Sequence, residues 1–220
     1  MIKIAKLILE LDKKSKYQDA QKLRGFFANT FSNIDLFHNH TEKGDFIYRY
    51  PRIQYRFFNN RPMVIGFNEG VEIIKRHYDK FETIKIGSYE YPIMEKQLIL
   101  EERELKTIDD YMQYKFITPW YALNQENYRE YQILKTLKER DKLLEKILIT
   151  NILRMCKELD YHVDKNIELQ TFLNPVSFET VIKDVKIIAF TGFFKVNMQI
   201  PDCIGLGKSI SKGFGTIIKN

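Results

Sequence analysis

The chain has 220 residues, 44% of them hydrophobic and 29% charged, a balance that suits one large or two small globular domains and excludes an intrinsically disordered protein. Its formal net charge of +6 leans toward a polyanionic partner. The only cysteines, Cys156 and Cys203, are too few for a disulfide scaffold or a cysteine-built zinc site, and no stretch approaches the ~20 apolar residues of a membrane span.

In chain order, "IKIAKLILELD" alternates apolar and polar residues and predicts a first strand. Lys3 and Lys6 interrupt its apolar run and no small-residue cleavage site follows, so a secretory leader is not expected and a reducing cytoplasm is. Ala20, Leu23, Phe26, Phe27 and Phe31 then recur at helical spacing. "DFIYRYPRIQYRFF" and "RPMVIGF" predict a hairpin joined at Asn59-Asn60, with Pro51 marking an edge position or a bulge. "NEGVEIIKRHYDKF" predicts a second helix with Asn68 as N-cap, and "TIKIGSYEYPIMEKQLILEERELK" closes with one long strand or a hairpin. The order β-α-β-β-α-β is the ferredoxin-like unit, and it occupies residues 1–110.

Residues 111–220 begin again with a strand, "MQYKFITPWYAL", in which Trp120 reads as core. A stretch without Gly or Pro follows from Asn124 to about Asp160, whose apolar residues repeat at three and four and predict one or two helices. "NIELQTFLNPVSF", "VKIIAFTGFFKVNMQI" and the short "GTIIK" read as strands. Where a second helix is due, the chain gives "PDCIGLGKSISKGFG" instead. Gly205, Gly207, Gly213 and Gly215 let backbone approach a ligand or take φ > 0, and Lys208 and Lys212 add charge, so the tail reads either as a phosphate-binding loop or as a glycine-rich hairpin. It is no Walker A loop, because the glycine due five residues before Gly207 is Asp202.

The other concentrated feature is "LFHNHTEKGDFIYRYPRIQY" at 36–55, with two of the four histidines one residue apart. Metal ligation, acid-base catalysis and a plain polar strand mouth all remain open for His38 and His40. Zinc needs one or two further ligands that neither His77 nor His162 supplies nearby in sequence. In an extended segment the two imidazoles would point to one side. Arg49, Arg52, Arg56 and Arg61 interleave with Tyr48, Tyr50 and Tyr55, the composition that holds phosphates and stacks unpaired bases.

The tail "GLGKSISKGFG", with G-x-G, a basic residue, then G-F-G before a final strand, resembles the C-terminal glycine-rich loop of the CRISPR repeat-associated RAMP proteins. The histidine-bearing loop before "YRYPRIQYR", and "TPWYALNQENYREY", are similar to the Cas6 endoribonucleases, and among them to the Cas6b kind with two histidines in that loop. The resemblance spans nearly the whole chain. It implies an α+β fold of two tandem ferredoxin-like (RRM-like) domains, the second carrying the glycine-rich loop. It also implies metal-independent cutting of precursor CRISPR RNA within its repeats, with no cofactor. The ribose 2′-OH attacks the adjacent phosphate and leaves a 2′,3′-cyclic phosphate and a 5′-OH.

That reaction needs a base, an acid and positive charge, and imidazole, with an ordinary pKa of about 6.5, fills either proton role. On this reading His38, His40 and Tyr48 are catalytic, with Tyr50 the alternative tyrosine. Lys43 and Arg52 are candidates for charge at the transition state. RNA would be held by Lys43, Arg49, Arg52, Arg56 and the loop residues Gly205, Gly207, Lys208, Lys212, Gly213 and Gly215. A RAMP subunit that only holds guide RNA in an effector complex is the rival reading the fold permits. The partner in either case is CRISPR repeat RNA; a homodimer and an effector complex both stay open.

Overall fold

A computed structural model of the chain describes residues 1–12, 19–38, 50–179 and 186–220. Two compact units emerge. The first comprises Met1–Arg103 together with Ile210–Gly213, and the second Glu104–Ser209 with Phe214–Asn220.

The first unit places β1 (Ile2–Leu11), β2 (Ile53–Phe58), β3 (Arg61–Phe67), β4 (Thr83–Ile86) and β5 (Tyr89–Arg103) in an antiparallel sheet of order β2-β3-β1-β5-β4. Its helices are α1 (Ala20–Thr30), the short α2 (Asp35–His38) and α3 (Glu69–His77). The run β2-β3-β1-β5 is the ferredoxin-like order, and the expected closing hairpin adds β4 as an outer strand. Asn59 and Asn60 both take positive φ (50° and 62°), the type I′ geometry whose twist suits a two-residue hairpin. Asn68 does occupy the N-cap position of α3, but its side chain accepts from the Lys3 N–H at 3.3 Å rather than from the helix.

Alternate residues of β1, from Ala5 through Leu7 and Leu9 to Leu11, face a core completed by Leu23, Phe27, Val71 and Ile74. The Phe27 ring lies 5.2–6.1 Å from those of Phe26, Phe31, Phe37, Tyr55 and Phe81. Each such pair adds roughly 0.5–1.5 kcal/mol beyond buried area. Tyr55 is fully buried, and its hydroxyl donates to the Phe37 carbonyl at 2.9 Å. Burial pushes its pKa well above the ordinary phenol value, against a smaller opposing effect of Arg24, so it remains a donor.

The second unit orders β6 (Lys106–Trp120), β7 (Leu169–Glu179), β8 (Lys186–Gln199) and β9 (Ile217–Lys219) as β7-β8-β6-β9, again antiparallel and the same permutation as in the first. The long helical stretch divides into α4 (Gln125–Ile133) and α5 (Leu137–Glu158). Thr136 causes the break. It forms a reciprocal capping box in which its Oγ1 accepts from the Glu139 N–H at 3.2 Å and Glu139 accepts from the Thr136 N–H at 2.9 Å. Leu144, Leu148, Ile152 and Met155 of α5 are buried, as are Tyr114, Phe116, Trp120, Phe190 and Phe194 of the sheet. The Tyr114 hydroxyl accepts from the Ile200 N–H at 2.7 Å, and burial pushes its pKa up to about 12. Between β8 and β9 the expected glycine-rich loop replaces a helix, with a single 3-10 turn, Ile210–Lys212, inside it. No helix among the described residues is long and apolar enough to cross a membrane.

Two single substitutions test these anchors. Tyr55→Phe leaves the buried Phe37 carbonyl without its donor and is expected to lower stability by about 1 kcal/mol. Thr136→Ala, which removes the cap, is expected to lower it by about 1 kcal/mol as well. Both read out as a lower urea midpoint.

Candidate functional site

The short helix α2 brings the chain to His38. Ile34 and Phe31 begin it, the Phe37 N–H donating to Ile34 O at 3.0 Å. The Phe37 ring inserts between Phe27 (5.6 Å) and Phe31 (5.0 Å), edge-on to His77 at 6.1 Å. With its ring in the core and its carbonyl held by Tyr55, Phe37 fixes the backbone that enters His38. His38 closes a helical turn; the expected same-side placement of the His38 and His40 imidazoles lies outside the described residues. His40, Lys43, Tyr48 and Arg49 lie outside the described residues. Tyr50, the alternative tyrosine, is buried.

Arg52 and Arg56 were expected to hold RNA from a strand starting near Asp45. The strand begins only at Ile53, and it is buried on both faces. Arg52, just before it, sets its Nε 3.1 Å from Glu69 Oε1 at the start of α3. Arg56 is 2% exposed and donates through Nη2 to the buried Gln54 side chain. Both guanidiniums are engaged inside the protein, because period-two alternation fails where both faces of a strand are covered. His77 is likewise structural: its Nδ1 lies 2.9 Å from Ile73 O, and its ring packs edge-on against Phe31.

The glycine-rich segment is built by close approach. A Cβ on Gly215 would sit 1.9 Å from Leu206 O, and one on Gly207 would sit 2.6 Å from Trp120 Nε1. Both residues also take positive φ, so only glycine closes the loop this way. Gly205 bridges Thr216 across it. The N–H groups of Leu206, Lys208, Gly213 and Gly215 donate to Gly215 O, Tyr121 O, Ile210 O and Pro119 O at 2.8–3.2 Å. Two of those amides bond within the loop and two to the end of β6, so all four are already engaged. Lys208 donates through Nζ to Leu123 O at 3.2 Å, and burial lowers its pKa.

Residues 210–213 pack in the first unit. Gly213 is so close to α1 and β2 that a Cβ there would lie 2.8 Å from Ala20 Cβ and 3.1 Å from Tyr55 O. Lys212 is half-buried, and its pKa is lowered by burial first and by the Arg24 guanidinium second. Arg24 was not singled out in the sequence, where it is one charge among several on an amphipathic helix. Only the return of the distant 210–213 segment makes it part of a cationic pair. Tyr55 thus touches both features: its hydroxyl secures the turn before His38, and its backbone abuts Gly213 beside Lys212. Among the described residues no group of three or more His, Cys, Asp or Glu side chains is placed to hold a metal ion.

Profiles of the Cas6b N-terminal and C-terminal domains match residues 1–104 and 106–220. A crystal structure of Cas6b aligns over 100% of both chains with a TM-score of 0.92 and 29% identity. The crystal structure of a CRISPR RNA processing endoribonuclease Cas6b also aligns over 100% of both, with a TM-score of 0.78 and 28% identity. An uncharacterized protein of Methanocaldococcus jannaschii is 43% identical over 116 residues, 53% of this chain and 78% of that protein. With both halves matched in order and a tandem ferredoxin-like fold to carry them, the chain belongs to the Cas6b family.

Proposed function

We propose that the chain is a metal-independent endoribonuclease that cuts precursor CRISPR RNA within its repeats. The observation that carries this reading is the convergence on Tyr55 of the turn entering His38 and the turn bearing Lys212. One imidazole of the His38/His40 pair takes the proton of the 2′-OH as its oxygen bonds to phosphorus. The other, as imidazolium, gives a proton to the departing 5′ oxygen as the P–O bond breaks. The products are a 2′,3′-cyclic phosphate and a 5′-OH. Tyr48 orients the attacking hydroxyl or a phosphate oxygen. Charge developing on the phosphate is met by Lys212 and Arg24, two cations set beside one another in the first unit. Lys43, Arg49 and Lys208 extend the contact along the RNA backbone.

Cleavage of an end-labelled repeat RNA in excess EDTA tests the reaction. Wild type is expected to cut at one site, and the His38→Ala/His40→Ala double variant to lose at least ~10²-fold in rate. A 2′-deoxy substitution at the cut site should abolish cutting in both. Tight binding without any cutting by wild type would instead identify a subunit that only holds guide RNA.

Lys212→Ala is expected to weaken RNA binding and to reduce the dependence of log affinity on log salt by about 0.7, as for one phosphate contact on a single strand. Gly215→Ala is no probe of binding, because its Cβ would strike the Leu206 carbonyl and damage the fold first. The lowered pKa of Lys212 sets a pH dependence. Its charge is complete at low pH and is lost as pH rises through the depressed value, earlier than for an exposed lysine. Titrated from pH 7 to pH 9.5, wild type should lose affinity, whereas Lys212→Arg, whose guanidinium stays charged, should lose less.

A further inference from the structure

The second sheet has one face covered by α4 and α5, which carries Phe194, Val196 and Met198 of β8 into the core. Phe193 and Lys195, which alternate with them, face the other way. There Phe193 is paired directly with Phe172 of β7 on one side and with Lys115 of β6 on the other, and Lys195 sits two residues along β8, about 7 Å away. The Phe172 and Phe193 rings are stacked, 4.7 Å between centroids at 17°. Phe172 is 40% exposed despite being a large apolar residue, and Lys115 and Lys195 are exposed. Neither lysine is in an ion pair among the described residues. The strands offer them none nearby: no carboxylate occurs from Gln170 to Val176 or from Ile187 to Gln199, in a chain with 29 acidic residues.

We propose that this helix-free face is a second RNA-contacting surface, in which unpaired bases stack on Phe172 and Phe193 while Lys115 and Lys195 hold the phosphates between them. A cross-strand phenylalanine pair by itself adds roughly 0.2–1 kcal/mol to a sheet and calls for no cations. Stacked rings with isolated cations beside them suit a strand whose bases have free π faces. The alternative of a protein partner fits poorly, since a specific interface takes about 800 Å² per side and this patch offers one exposed ring and one half-buried one. The occupant is therefore single-stranded RNA, a choice that rests on RNA being the ligand as proposed above.

Fluorescence anisotropy with a 5′-labelled, unstructured repeat RNA as probe tests the surface on the full chain. Phe172→Leu keeps the apolar contact on an edge strand but removes the π face. It is expected to weaken binding on the order of tenfold, and Phe172→Tyr to bind as wild type does. Lys115→Ala/Lys195→Ala should flatten the salt dependence by about 1.4 in log-log slope. The same RNA annealed to its complement should bind Phe172→Leu and wild type alike. Single-strand binding by Phe172→Leu within twofold of wild type, with the melting temperature unchanged, would overturn the proposal. Cutting of the same probe by wild type is scored in parallel, which separates the two readings. Phe172-dependent binding without cutting leaves this surface standing and removes the nuclease, whereas cutting with Phe172-independent binding does the reverse.

Discussion

One hydrogen bond has a disproportionate share of the first unit's organisation: the buried Tyr55 hydroxyl on the Phe37 carbonyl. Its cost of burial is met because the ring belongs to the aromatic cluster around Phe27 and the hydroxyl has a fixed acceptor. That acceptor lies one residue before His38, and the backbone carbonyl of Tyr55 itself lies against Gly213. A single residue in the middle of β2 thus touches two segments separated by more than 150 residues of sequence. The turn that enters His38 is thereby secured at both the ring and the carbonyl of Phe37.

The two units share a sheet permutation but use it differently. The first has α1 and α3 over one face of its sheet, which leaves its 3-10 addition, Ile210–Lys212, to abut α1 and β2. In the second, α4 and α5 fall between its first two strands, and the glycine-rich loop occupies the place of the second helix. Glycine serves that loop less by freeing amides for a ligand than by letting its two limbs touch each other and the Trp120 indole. Lys208 and Lys212 are the cations on that loop, and partial burial lowers the pKa of both, with Arg24 adding to the effect at Lys212.

How far the sequence is legible depends on whether a feature is local. The strands of β1 and β8, the Asn59-Asn60 turn and the buried Trp120 follow from alternation and turn chemistry alone, and the structure has them. The division between α4 and α5 is also local, written in Thr136 and Glu139, although periodicity by itself permits a single helix. The burial of Arg52 and Arg56 was not legible, because alternation reports a solvent face only when the sheet has one, and their partners Glu69 and Gln54 are found only in three dimensions. Arg24 escaped notice for the same reason: its significance comes from Lys212, far along the chain. The glycine tail was legible as a motif, and its resemblance to RAMP proteins led to the family, but its inward-turned amides were not.

The excursion of residues 210–213 into the first unit also orders events during synthesis. Both histidines and all the strands of the first sheet leave the ribosome early, but the turn that sets Lys212 beside Arg24 emerges about a hundred residues after Arg103. At 5–20 residues per second that is a delay of roughly 5–20 s. A nascent chain therefore folds its first sheet before Lys212 can take its place beside Arg24.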